Sequence, residues 1–197
     1  MKPELKIILR PALILMAICL VVTAALAGAN EWTKGPIAEQ EAAAEQAART
    51  EVLPAASEFR TIDGTENVWI GLNGSDTVGY VIITQSNGYG GALRVMTGIS
   101  ADGAVTGVSI LSNNETVGLG ANCVKSGFRA QFGTTLPENG FSVYKNGGNV
   151  PAEGGVEALT GATITSNAVV RAVNEAADIY RSITGSAEGS VQNGSEK

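Results

Sequence analysis

Val68-Trp69-Ile70-Gly71-Leu72, then Asn73-Gly74, then Val78-Gly79-Tyr80-Val81-Ile82-Ile83-Thr84 is the stretch that decides the fold. Two short runs rich in β-branched and aromatic residues stand on either side of Asn-Gly. That pair accepts the positive φ of a tight turn, so the stretch predicts a β-hairpin. The pattern recurs at once, because residues 93–99 and 105–111 flank Asp102-Gly103. Connections this short leave no room for crossover helices, so the strands are expected to be antiparallel. Residues 123–132 read as a short helix and 141–144 as one more strand. After them Val169, Ala172, Val173, Ala176, Ile179 or Tyr180, and Ile183 recur at three- and four-residue spacing. Arg171, Asn174, Glu175, Asp178 and Arg181 occupy the other face, which predicts an amphipathic helix over 166–183. The fold class is therefore α+β, an antiparallel sheet with flanking helices.

Upstream lies a segment of a different kind. Residues 12–29 carry no charge and are mostly Leu, Ile, Val and Ala. With residues 7–9 included, a helix of about 23 residues spans roughly 35 Å, enough to cross a hydrocarbon core of about 30 Å. Lys2, Lys6 and Arg10 precede the run, while Glu31 and Lys34 follow it and cancel. The excess of basic residues places the N-terminus in the cytoplasm and the remainder outside the cell membrane. A cleaved signal peptide is the rival reading, since Ala25-Leu26-Ala27 fits a small-x-small site, but the apolar run exceeds a usual signal core. A lipid anchor at Cys19 is disfavoured by Ile18, which stands where a small residue is expected. The expected organisation is a cytoplasmic N-terminus and membrane helix over 1–30, an exposed helical segment over 31–56, a soluble domain over 57–183, and a disordered polar tail over 184–197.

Composition narrows the chemistry. The chain of 197 residues has no His and two Cys, Cys19 and Cys123. Histidine-based hydrolysis is excluded, four-thiolate clusters lack ligands, and structural zinc lacks its usual set. One Cys stands in the apolar segment and one in the soluble part, which makes an intrachain disulfide improbable. A net charge of −6 with scattered basic residues argues against a nucleic-acid partner. Any redox function must rest on an organic cofactor. No nucleotide fingerprint is present, because Gly118-Leu119-Gly120 lacks the third Gly and the strand–loop–helix setting.

Just ahead of the amphipathic helix stands Glu157-Ala158-Leu159-Thr160-Gly161-Ala162-Thr163-Ile164-Thr165-Ser166. Four hydroxyl residues gather where a helix begins, and the N–H groups of a helix start favour phosphate. Gly161 and Ala162 leave the Thr163 hydroxyl approachable. A single cap explains one hydroxyl, and on physical grounds alone a phosphate site and a capping turn stand about level.

Thr160-Gly161-Ala162-Thr163-Ile164-Thr165 resembles the threonine motif of the FMN-binding domain family, found in the G subunit of Rnf electron-transport complexes and the C subunit of sodium-pumping NADH:quinone reductase. In that family a flavin transferase moves FMN from FAD onto the second Thr of the motif, which corresponds to Thr163 here. Glu157 stands where the family more often has Asp. Asn87-Gly88-Tyr89-Gly90-Gly91 resembles the family's Gly-Tyr-Gly lead into a strand. Glu115-Thr116-Val117-Gly118-Leu119-Gly120 is similar to the Glu-Thr-Pro-Gly-Leu-Gly loop that lines the isoalloxazine ring, with Val117 in place of Pro. Asn30-Glu31-Trp32-Thr33 also resembles the family just outside its membrane helix.

The resemblance implies FMN attached as a phosphodiester to Thr163, with Thr160, Gly161, Ala162 and Thr165 around the phosphate. It implies Glu115, Thr116, Gly118, Leu119 and Gly120 along the ring, the glycines letting backbone N–H groups approach and Leu119 forming an apolar wall. The implied role is the electron-transfer subunit of a membrane-bound, ion-translocating oxidoreductase of Rnf type. Its partners are then the other subunits of that complex, a flavin transferase during maturation, and the bilayer through residues 7–29, with no direct NADH binding. The competing readings are a stand-alone extracytoplasmic flavoprotein, the C-type subunit of a sodium-pumping quinone reductase, and a non-redox surface domain whose Thr cluster only caps a helix.

Overall fold

The structure, a computed structural model, describes residues 3–62, 65, 67–145, 148–149, 151 and 153–192. It divides into two compact units, Met1–Ala44 and Glu45–Lys197.

The first unit is helical. Helix α1 runs over Pro3–Val52, and its last turns belong to the second unit. From Leu9 onward it is long and apolar enough to cross a membrane, and its apolar window has no buried side chains. Where the sequence reading separates a membrane helix from a second helix, the backbone stays helical through Gly35 and Pro36. Pro36 lacks an N–H and removes one helical bond. Local bonds hold the turns before it: Lys34 pairs with Glu31 at 2.9 Å and the Thr33 hydroxyl donates to the Ala29 carbonyl at 3.0 Å. Beyond it the Ala-, Glu- and Gln-rich run has high helix propensity.

The second unit is built on five antiparallel strands in sequence order: β1 (Glu58–Thr61), β2 (Val68–Asn73), β3 (Asp76–Asn87), β4 (Ala92–Ser100) and β5 (Val105–Ser112). Both expected hairpins form. Gly74 and Gly103 sit at positive φ in their turns, which is why Gly is needed there. Strand β1 has no counterpart in the sequence reading, because its side chains are largely exposed and carry no apolar alternation.

The region 123–132 is three short pieces, not one helix: 3-10 turns at Gly120–Val124 and Ala130–Phe132 flank the single turn α2 (Ser126–Arg129). Lys125 adopts an extended conformation between them and stops propagation. Strand β6 (Ser142–Tyr144) pairs in parallel with β7 (Gly155–Glu157), a three-residue strand too short to leave a periodic signal.

Helix α3 runs over Thr163–Gln192. It begins before the expected Ser166 and continues past Ile183, where a disordered tail is expected; residues 193–197 lie outside the described residues. Once the packed face has nucleated the helix, each added residue brings its own hydrogen bond at little cost.

The sheet is buried on both faces. Ile82 and Ile99 pack under Ala176 and Tyr180 of α3, and Leu93 and Val95 join Val169 and Val173 in the main core. On the opposite face Val81, Ile83 and Met96 meet Val52, Leu53 and Trp69. The alternation along Val81-Ile82-Ile83 therefore feeds two cores, which hides period two in a continuous apolar run.

The opposite-face core corrects the expected domain boundary at 57. Ala48, Val52, Leu53 and Ala56 are buried core residues, not part of an exposed segment. The sheet offers glycines where they dock: a Cβ at Gly98 or Gly107 would strike the backbone of Val52, and one at Gly71 would strike Leu53. The Thr106 hydroxyl donates to the Val52 carbonyl, and the Arg49 guanidinium lies 4.3 Å from the centroid of the Trp69 ring.

Candidate functional site

At the start of α3 three loops meet around a cleft of about 540 Å³, lined by Tyr89, Glu115, Thr116, Leu119, Gly120 and residues 161–165. The volume lies in the range of small-molecule sites, about 300–1,000 Å³. Of the residues singled out from sequence, eight line it: Glu115, Thr116, Leu119, Gly120, Gly161, Ala162, Thr163 and Thr165. Thr160 and Gly118 stand outside the lining, both exposed. Tyr89 and Ile164 line the cleft and were not singled out as site residues. Their signal is present in the Gly-Tyr-Gly turn and the threonine motif, but periodicity does not say which neighbours of a motif face its ligand.

A buried carboxylate joins the loops. Glu115 is 7% exposed, accepts the Thr165 hydroxyl at 2.6 Å on Oε2 and accepts the Gly90 N–H at 3.0 Å on Oε1. Both carboxyl oxygens accept a hydrogen bond, one from each side of the cleft. A Cβ at Gly88 would strike Oε1, and a Cβ at Gly120 would strike Oε2 and the Thr165 hydroxyl. These glycines thus let the two loops close on Glu115. Gly120 also lines the cleft.

The four hydroxyls of the threonine motif separate into two kinds. Thr165 is 1% exposed and its proton is committed to Glu115. Ser166 is fully buried, donates to the Ala162 carbonyl at 3.0 Å and accepts the Leu159 N–H at 2.9 Å. Those two hold the helix start in place. The Thr165 hydroxyl is thus engaged by Glu115, while its backbone N–H lies in the first turn of α3. Thr160 is exposed and outside the cleft lining. Thr163 is the one motif residue that both lines the cleft, half-buried, and has a hydroxyl with no hydrogen-bond partner among the described residues.

The backbone aims that hydroxyl. Gly161 adopts φ +73°, a left-handed conformation open to Gly, and so turns the chain into the helix. Thr163 is the first residue of α3, so the N–H groups of its first turn have no acceptor within the helix. Glu157 lies on β7, where its N–H donates to the Gln131 side chain at 2.7 Å. Cys123 is fully buried. Burial, and after it the charge of Glu115, pushes its thiol up to about 11. It is a core residue.

A family model described as the FMN-binding domain matches residues 88–178, a span that encloses every loop of this cleft. A second, described as the RnfG N-terminal region, matches residues 1–52. The chain is 35% identical to the G subunit of the Na(+)-translocating ferredoxin:NAD(+) oxidoreductase complex of Acetobacterium woodii, over 91% of its own length and 94% of the relative's. The chain belongs to the RnfG family. Further relatives are the G subunit of the proton-translocating ferredoxin:NAD(+) oxidoreductase complex of Clostridium ljungdahlii, 38% identical over 66% of this chain and 68% of that one, and the G subunit of the ion-translocating oxidoreductase complex of Methanosarcina acetivorans, 34% identical over 83% and 89%. Among solved structures, NqrC of Shewanella oneidensis gives a partial likeness, with TM-score 0.47 and 20% identity over 60% of this chain and 62% of that one.

The cleft of this RnfG member fits a flavin mononucleotide on its own chemistry. A helix start and an unengaged hydroxyl suit the phosphate, and Tyr89, Leu119 and Ile164 supply apolar walls for a ring system.

Proposed function

We propose that this chain is the flavin-carrying electron-transfer subunit of an Rnf-type, ion-translocating oxidoreductase complex, with FMN held as a phosphodiester on Thr163. One observation carries the site assignment: of the four hydroxyls in the motif, Thr163 alone both lines the cleft and has no hydrogen-bond partner among the described residues. The names of relatives that match along most of their length support the complex.

Bound FMN would supply the reversible electron-transfer chemistry that the chain's own side chains lack. The protein contributes attachment and orientation. The Thr163 oxygen would hold FMN through its phosphate as a phosphodiester, formed from FAD with release of AMP and one proton. The first-turn N–H groups of α3 offset the remaining phosphate charge. Glu115 and Thr165 act through the backbone, holding the ring-side loop against the helix start. A covalent link keeps the cofactor on a domain that lies outside the cytoplasm, where α1 crosses the membrane with Lys2, Lys6 and Arg10 on the inner side.

The test is expression of the full chain with a flavin transferase and FAD, followed by peptide mass spectrometry of residues 157–171. The expected result is one FMN mass on Thr163. Thr163→Ala should fold, because the lost hydroxyl holds no hydrogen bond among the described residues, and should lose all covalent flavin. FMN on Thr160 or Thr165, or normal labelling of Thr163→Ala, would overturn the assignment.

A further inference from the structure

We propose that Tyr89 is a positioning residue for the flavin ring, its phenol forming an aromatic wall of the cleft; this rests on the FMN reading above. Tyr89 lines the cleft yet is 73% exposed. An exposed aromatic is unremarkable when its backbone is free to move. Here the backbone is held. The Gly88 N–H donates to the Gly91 carbonyl at 2.8 Å, and the Gly90 N–H donates to the buried Glu115 carboxylate at 3.0 Å.

The flanking residues have no room to become anything larger. A Cβ at Gly88 would strike Glu115 and Leu93, and one at Gly90 would strike the Asn114 carbonyl. The turn therefore presents a large ring from a fixed base into a cavity, with the ring itself left uncovered. That is how a protein offers an aromatic face to a flat ligand without reorganising on binding.

The distribution of apolar surface points the same way. Between Glu45 and Gly185 the large hydrophobics exposed among the described residues are Tyr89, Val117, Leu119, Val124 and Ile164. Three of these, Tyr89, Leu119 and Ile164, line the one cleft. The two aliphatic side chains come from the 115–120 loop and the start of α3, and the aromatic one comes from the β3–β4 turn. A flat conjugated ring is the ligand chemistry that uses both kinds of wall, dispersion from the aliphatics and stacking on the phenol.

The consequence is optical. A tyrosine phenol in contact with an excited flavin donates an electron to it and quenches its emission. The full chain, loaded with FMN by co-expressed transferase, is compared with Tyr89→Leu and Tyr89→Trp by flavin content, emission and excited-state lifetime, each native and unfolded. Flavin content is expected to be the same in all three, because Tyr89 takes no part in the transfer to Thr163. Native emission and excited-state lifetime of Tyr89→Leu should both rise clearly above those of the parent, because the quenching phenol is gone. Tyr89→Trp should stay as dark as the parent. Unchanged emission and lifetime in Tyr89→Leu, or a parent whose flavin is as bright native as unfolded, would overturn the role of Tyr89 and leave the FMN reading standing. A parent that carries no flavin would overturn both.

Discussion

Glu115 shows what a single buried charge can organise. It lies in the loop that resembles a flavin-lining motif, yet its hydrogen bonds run to Thr165 and Gly90, tying the helix start and the aromatic turn together. The same charge helps raise the Cys123 thiol from 9.0 to about 11, after burial, the larger cause. The sign of the resulting pH dependence follows. Below pH 9 the thiol is protonated whether the chain is folded or unfolded, and it contributes no slope. Between pH 9 and about 11 the unfolded chain loses the proton and the native chain retains it, so stability falls as pH rises. At 1.36 kcal/mol per unit the loss amounts to about 2–3 kcal/mol once both states have titrated. Urea melts at pH 8 and pH 10.5 should show this decline, and Cys123→Ser should remove that part of it. An equal decline in Cys123→Ser would assign the effect to other groups. Native Cys123 should also resist maleimide at pH 8 until the domain is unfolded.

Among the elements, the end of α1 is the one whose role changes most between sequence and structure. As helix-forming sequence, residues 45–56 look like a solvated connector, since Glu45, Arg49 and Glu51 alternate with Ala. In the fold this segment closes the second core. Val52 and Leu53 are each 1% exposed and rest where Gly71, Gly98 and Gly107 leave space. Glu45 holds Arg49 at 2.9 Å and approaches Arg94 at 3.7 Å, while Glu51 pairs with Arg129 at 2.8 Å. Burying a Val or Leu side chain stabilises by about 1.5–3 kcal/mol each, so losing the segment removes several kcal/mol. That is a large share of the roughly 5–15 kcal/mol available to a domain. A chain beginning at Glu45 should give a soluble, cooperatively melting domain. One beginning at Ser57 should aggregate or melt far lower, because Trp69, Val81, Ile83 and Met96 lose their cover. Melting within a few degrees of the longer chain would show that the segment is dispensable.

At the scale of the whole molecule the expectation concerns sidedness. Arg10 and the two lysines before it stand at one end of an apolar helix, and the FMN-binding domain follows the other end. With the positive end inside, protease added to intact cells or spheroplasts should digest the domain, and breaking the membrane should add no further cleavage of it. Complete protection in sealed, correctly oriented membranes, with digestion only after lysis, would reverse the assigned orientation.

Four things were legible in the sequence: the antiparallel hairpins, the apolar helix, the last amphipathic helix and the threonine motif. Each is written in local terms, as alternation, as an uncharged run, as 3.6-residue periodicity or as a short string of residue types. Local patterns reflect the secondary structure that neighbouring residues adopt together, so they survive being read one segment at a time. The parallel pairing of β6 with β7 and the burial of Val52 and Leu53 were not legible. They depend on contacts between residues far apart in the chain, which no local period records. The division of labour within the motif was hidden for the same reason. Thr163 and Thr165 are two residues apart and alike in chemistry, and their string does not distinguish a hydroxyl facing a cleft from one facing a carboxylate. Only the fold brought Glu115 from 50 residues away to claim the Thr165 proton, leaving Thr163 unengaged at the cleft.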